Sequence, residues 1–546
     1  MNWKKDGYEY VILFALTVLI FFLGLGNRDL WTPDEPRVAE IGREMALEGN
    51  YVVPMLNRKP FLEQPPLFYL SLAFAYRITG RVEDWVARIP SAFYSFLGTF
   101  AVFLIGRNLF GTKVGILGAF ILATCLEYFR VSRWVIVDSA LSCFIFFALW
   151  AFLKAYFGHE GSKALYYFLM CIFSTLAFFV KGFIGVAIPA LTVISFLIFE
   201  RNVGEIRRMK LQYGITVFLV SLGIWTWLLY KEGNVEYLKI FFVDNNLLRF
   251  FPGGTSGHQN PFYYYFLEFP SAFFPWIILF FPALVYVFSK SPQHEKKALL
   301  FLKCYFISGF VLLSLASTKR ILYMVPIFPS AALMVALYLD HFFRSENRTL
   351  METSFTYIHS GIIFALGIGL LPLVIFFSNK YGTDLKGEDI LRISIFSFAI
   401  ASLSAISIFD LRRLRFKKSI FFSGMAHFSF LLFLLFWVSP YINPYKSFKP
   451  FMEKVLKEIP KGEPVYAYKP DETLRGFFPF YSGIYPIEVK EENEIRSSLR
   501  NNPMYVVIRD KNDVLRKELL NLGLKEVFYV QRADRRSLAL FKSYDR

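Results

Sequence analysis

Apolar runs long enough to cross a bilayer recur along roughly four-fifths of this chain, separated by short polar loops. About 20 predominantly apolar residues make one crossing. The pattern predicts about thirteen such segments, near residues 8–26, 88–107, 114–130, 137–156, 164–180, 183–200, 211–230, 269–289, 298–316, 321–341, 356–377, 389–409 and 419–438. Each crossing must be helical, because hydrocarbon offers no partner for backbone amides. Beyond residue 440 the period changes. Residues 464–468 and 504–508 read as buried strands, 514–522 as a helix, and 526–530 and 538–541 as further strands. The expected architecture is a polytopic α-helical membrane domain over 1–439, with a long first outer loop at 27–87, and a small C-terminal α/β domain over 440–546 outside the membrane.

Charge orients this layout. With the N-terminus in the cytoplasm, the loops Arg107 to Lys113, Arg201 to Lys210, Lys290 to Lys297, Arg344 to Arg348 and Arg412 to Lys418 all fall inside, and all are basic. The net charge of +17 arises largely there, so it argues for a membrane and not for a nucleic-acid partner. The first segment follows Lys4 and Lys5 and has no small-residue cleavage site after it, which reads as a retained helix. Cys125, Cys143, Cys171 and Cys304 lack CxxC spacing and read as small packing residues.

The same parity places loop 27–87, Asp138, residues 231–268, the turn 317–320 and the tail on the outer face, where the chemistry-bearing residues collect. In the first loop, Thr32 reads as an N-cap, Pro33 as the first helical residue and Glu35 as a capping box. Val38, Ile41 and Met45 share one face, and Gly49 stops the helix. It is expected to lie along the membrane surface, with 67–78 as a second interfacial helix. Asp34 would sit at that helix start, where amides and dipole favour the ionised form. That suits an orienting role better than strong general base catalysis, or else simple decoration of a helix start.

Asp138 opens an apolar segment after Arg130 and Arg133, as a second candidate carboxylate or as an interfacial pair with Arg133. Glu63 and His258 are metal ligands by type. Arg58, Lys59, Arg249, Lys319 and Arg320 are outer-face cations. Singly they would anchor headgroups; together they would make a phosphate clamp. Tyr323 reads as an interfacial aromatic or a ligand contact.

The run Pro33-Asp-Glu-Pro-Arg-Val-Ala-Glu-Ile-Gly-Arg-Glu-Met45, with Gly49 to Asn57 and Phe61-Leu-Glu-Gln-Pro-Pro-Leu67, resembles the first outer loop of the polyprenyl-phosphate-dependent glycosyltransferases of GT-C fold. That group includes the lipid A aminoarabinose transferases and the protein mannosyltransferases. Arg133 to Asp138, His258 to Phe262, and Ser317 to Arg320 with Tyr323 and Pro326 are looser matches. The resemblance implies transfer, with inversion, of a sugar such as 4-amino-4-deoxy-L-arabinose from undecaprenyl phosphate to lipid A or another glycolipid, at the outer side of a bacterial inner membrane. It implies Asp34 and Asp138 as the catalytic carboxylates. It also implies a divalent metal (Zn, Mg or Mn) at Glu63 and His258, near the donor phosphate. One departure stands out: the family commonly has Glu-Lys-Pro where this chain has Glu63-Gln64-Pro65. A uronic acid or hexose donor, or a protein acceptor, is compatible with the same motifs. A transporter is the rival of another class, but it would place ionisable residues near the midplane in repeated halves, and no repeat is visible.

Overall fold

The computed structural model describes residues 15–158, 160–248, 258–289, 295–381, 385–499, 504–531 and 536–543. Among them, nine helices are long and apolar enough to cross a membrane, from Asp84–Phe110 to Phe416–Glu458. Two bent helix pairs pass the same test of length and composition together, which makes up to eleven if each pair is one crossing. Segment 114–130 breaks by 71° between Thr112–Thr124 and Leu126–Ser132, where Cys125 is extended. Segment 269–289 breaks by 114° between Tyr264–Ala272 and Ile277–Ser289; Pro275 in the break has no N–H to offer a helix. The difference from about thirteen lies in Ile184–Phe199, which is short, and in the first segment, described only from residue 15 and helical to 22. Leu211–Leu238 also runs past residue 230 into the expected polar stretch, kinking at Gly233 and Asn234.

The chain divides into two compact units. The first holds residues up to 24, 63–65 and 91–438. Its centre is the Ile321–Arg344 segment, 89% buried. Hydrophobicity cannot hold helices together where lipid is equally apolar, so close packing must. At Gly106 a β-carbon would come within 2.7 Å of the Gly115 Cα, so the two helices meet backbone to backbone there, and at Gly106 and Gly118 it would press on the end of the Leu333 side chain. Arg133 donates to the carbonyls of Ile20 (2.9 Å), Phe21 (3.2 Å) and Leu23 (2.7 Å), closing the open end of the first helix.

The second unit joins 25–62 and 66–90 with 439–546. Its first loop carries a short hairpin, β1 (Met55–Leu56) and β2 (Lys59–Pro60). The tail forms a five-stranded sheet of β3 (Val465–Tyr468), β4 (Ile487–Val489), β5 (Tyr505–Lys511), β6 (Lys525–Gln531) and β7 (Arg536–Lys542), in the order β4-β3-β5-β7-β6. The β4-β3-β5 pairs are parallel and the other two antiparallel. Alternation puts Val465, Ala467, Val507, Leu538 and Leu540 on one face, against Phe451, Val455, Leu474 and Phe477. Val506, Ile508, Ala539 and Phe541 face the other way, toward Leu519.

The loop helix starts later than the sequence predicts. It spans Glu35–Glu48 with Asp34 at the N-cap position, and Asp34 makes no capping bond to its own helix. Glu35 is fully buried and is not a simple cap. Its carboxylate pairs with Arg28 and with Arg88 (3.1 Å) and accepts the Trp31 N–H at 2.9 Å. Arg88 also donates to the carbonyls of Leu25, Arg28 and Asp29, at 2.7–2.8 Å. Residues 38–45 are all buried, with Gly42 so close to Leu72 that a β-carbon would lie 2.4 Å from it.

Near the helix end, Glu44 accepts the N–H groups of Asn57 (2.6 Å) and Arg58 (3.1 Å). Burial nevertheless pushes its carboxyl up to about 7. The folded form therefore holds a proton that the unfolded chain, with an ordinary value of 4.5, has already lost. Stability should fall as pH rises from about 4.5 to 7, by about 3 kcal/mol in all. Glu44→Gln should flatten the pH dependence of the apparent Tm in detergent across that window. Arg88→Met removes one of the two cations on the Glu35 carboxylate and the donor to the Leu25, Arg28 and Asp29 carbonyls, and should cost about 3–5 kcal/mol, read as a lower Tm and faster proteolysis of the 25–62 loop.

Candidate active site

Two helix ends meet in the first unit. Asp138 is the first residue of Asp138–Tyr156, and Lys181 the last of Glu160–Lys181. These helices pack side by side as a hairpin, with Phe147 and Phe173 stacked at 5.2 Å. A carboxylate is favoured at a helix N-terminus and an ammonium at a C-terminus, so each charge sits on its preferred pole. Lys181 Nζ and Asp138 Oδ1 are 2.5 Å apart. Arg133, the partner expected for Asp138, instead serves the carbonyls of the first helix. The Lys181 ammonium also lies 4.0 Å from the ring centre of Tyr323, a cation–π contact. Gly182 follows at φ +72°, and a β-carbon there would lie 2.3 Å from Asn246 Oδ1, so the chain reversal brings Asn246 to the same place.

Around this pair lies a cavity of about 250 Å³, lined by Glu63, Gln64, Asp138, Lys181, Asn245, Asn246, Thr318 and Tyr323, with apolar residues such as Leu141 and Ile184. Among the described residues, Gln64 Oε1 and Thr318 Oγ1 are buried and have no hydrogen-bond partner. Each unmet group costs about 1–3 kcal/mol, which suits a polar ligand able to bond both.

The other expected cations divide. Lys319 is buried, and its ammonium donates to the carbonyls of Asn260 (2.9 Å) and Ala316. Its N–H donates to the His258 carbonyl at 2.9 Å, so it clips two segments of backbone together. Arg320 is half-buried beside it, and Arg249 lies outside the described residues. His258 is exposed and does not line the cavity. Among the described residues no three His, Cys, Asp or Glu side chains gather as a metal group, and the cation facing Asp138 is Lys181. Three or more protein ligands are usual for zinc; Glu63 and His258 offer two.

In the second unit, Asp34 is buried, and its Oδ1 is 2.9 Å from Arg37. Lys59 pairs with Glu488 at 2.5 Å. Arg58 lies 4.3 Å over the Tyr485 ring and 3.4 Å from Glu48. Burial would raise Glu488, but Lys59 and Asn57 hold its carboxyl below the usual value. Sequence patterns missed Lys181, Asn246 and Arg37 as site residues. A lysine before a glycine is an ordinary helix stop, and nothing in the local pattern marks the carboxylate it meets.

Residues 63–227 match the family model described as dolichyl-phosphate-mannose-protein mannosyltransferase, a stretch that includes Glu63, Asp138 and Lys181. An uncharacterised protein of Aquifex aeolicus is 26% identical over 483 residues, 87% of each chain. An undecaprenyl phosphate-α-4-amino-4-deoxy-L-arabinose arabinosyl transferase of Proteus mirabilis is 26% identical over 381 residues, covering 68% of this chain and 67% of its own length. The crystal structure of ArnT from Cupriavidus metallidurans bound to undecaprenyl phosphate matches with a TM-score of 0.79 at 19% identity, over 98% of both chains. The chain has the GT-C fold.

Within this GT-C chain, the Asp138–Lys181 pair is the charged centre of the cavity. Lys181→Gln is expected to weaken binding of a short-chain polyprenyl phosphate about 10–100-fold, the scale of one charge-assisted hydrogen bond, while Lys181→Arg keeps most of it. Microscale thermophoresis in detergent reads both.

Proposed function

We propose that this chain is a glycosyltransferase of a bacterial inner membrane. It moves a sugar, 4-amino-4-deoxy-L-arabinose or a close relative, from undecaprenyl phosphate to lipid A on the periplasmic side, with inversion. The observation that carries this reading is the cavity. It sets one ammonium, Lys181, among the unpartnered groups of Gln64 and Thr318, in a GT-C fold shared with a structure that holds undecaprenyl phosphate.

The chemistry asks little of the protein. An acceptor oxygen attacks the sugar C1 from the face opposite the phosphate. The C1–O bond breaks, and its electron pair leaves with undecaprenyl phosphate. Catalysis then consists mainly of stabilising charge on the departing phosphate, and Lys181 is placed to do so while Asp138 holds its ammonium. A phosphate acceptor is already an anion and surrenders no proton; a hydroxyl acceptor must lose one, which Asp34 would have to accept. Asp34, tied to Arg37, is cast as the residue that orients the acceptor.

Gln64 favours a second reading of the donor. A neutral carboxamide stands where the family commonly places a lysine, and it offers both an acceptor and two donors to a sugar. A uronic acid or hexose donor fits that change as well as an amino sugar.

Mass spectrometry of lipid A from cells with and without the protein tests the proposal. A pentose- or hexose-sized mass that requires the intact chain supports it and identifies the sugar. Unchanged lipid A moves the acceptor elsewhere. Asp34→Asn should abolish turnover while leaving donor binding largely intact; lost donor binding would overturn the orienting role.

A further inference from the structure

Asp34 does not cap the helix it precedes. Its carboxylate is set by Arg37, one turn further on, and Arg37 is itself held by the last hundred residues of the chain. Glu472, the first residue of the helix Glu472–Ser482, pairs with the other terminal nitrogen of the Arg37 guanidinium. The Phe61 ring lies 5.4 Å from that guanidinium carbon.

The backbone is gripped at the same point. One turn along the same helix, a β-carbon on Gly476 would lie 2.6 Å from Arg37 N and 2.7 Å from Arg37 Cα and the Pro36 carbonyl carbon. Here two helices touch main chain to main chain. The Thr473 hydroxyl sits 3.3 Å from that of Thr32. Further along, Tyr481 accepts the Leu30 N–H at 3.1 Å and donates to Asp84 at 2.6 Å. A helix that served only the fold of the tail would have no need of this run of contacts with residues 30–37.

We infer that the helix Glu472–Ser482 is a positioning element for the reaction. Glu472, through Arg37, sets the direction of the Asp34 carboxylate, and Gly476 sets how closely the two helices approach. Geometry explains why both are needed. Arg37 divides its two terminal nitrogens between Asp34 and Glu472. Without the Glu472 charge, the guanidinium loses the carboxylate that fixes one of its terminal nitrogens, and the direction it gives the Asp34 carboxylate changes. The inference rests on the orienting role proposed above for Asp34.

The test uses the full chain in membranes, with sugar transfer and donor binding measured on the same preparations. Glu472→Gln is the primary variant, because the Glu472 side chain is 46% exposed and its loss should not unfold the protein. It should lower kcat roughly tenfold with the donor KM unchanged, and Glu472→Asp should restore part of the loss. Gly476→Leu should lower kcat further. Glu453→Gln, an exposed change on another helix of the tail, should leave kcat as it is. If Glu472→Gln alters only thermal stability and leaves kcat per folded molecule unchanged, the helix is structural and the inference falls. If Asp34→Asn itself stays active, the role given to Asp34 is wrong and the positioning role goes with it. A dead Asp34→Asn beside a fully active Glu472→Gln would sink the positioning role alone.

Discussion

A full charge in hydrocarbon costs several kcal/mol unless it is paired or close to water, and a helix tolerates one best at its own pole. Asp138 and Lys181 satisfy both conditions at once. They stand on opposite termini of adjacent antiparallel helices, so two dipoles and one ion pair act in the same sense. Gly182 lets the chain turn back at that spot, and Tyr323 covers the ammonium with its ring. What remains in the cavity is a small set of polar atoms that the protein has not satisfied.

The second unit solves a similar problem. Glu35, Arg28 and Arg88 form a buried ionic knot that draws its remaining hydrogen bonds from backbone carbonyls. Buried pairs of this kind add little net stability over a well-packed apolar core. Here the Glu35 carboxylate and the Leu25, Arg28 and Asp29 carbonyls all meet on Arg88. Glu44, holding two amides of the β1–β2 turn while protonated near neutrality, plays the same part at the other end of the helix.

How much of this was legible depends on the range of the interaction. Apolar periodicity placed nearly every helix, because burial in lipid demands a long uniform run. It did not foresee the break at Cys125, where a continuous apolar run bends without any change in composition, nor the one at Pro275, a helix breaker that the apolar run around it masked. In the tail, β3, β5, β6 and β7 alternate or run apolar and were readable. Edge strand β4 is short and half-exposed, so it left no pattern. The site was readable as residue types and not as partnerships. Asp34, Asp138, Glu63 and Tyr323 stood out by position. The cations that complete the carboxylates, Lys181 and Arg37, look like ordinary helix residues until tertiary packing brings them into contact. Lys319 shows the reverse case: a cation conspicuous in sequence whose ammonium is spent on two backbone carbonyls.

The bare main-chain contact at Gly476 has an evolutionary corollary. Because nothing larger than hydrogen fits between that residue and the backbone of Pro36 and Arg37, drift in the first loop must be matched by drift in a segment more than four hundred positions away. Chimaeras between related transferases should therefore break cleanly only when the loop and the tail are exchanged together.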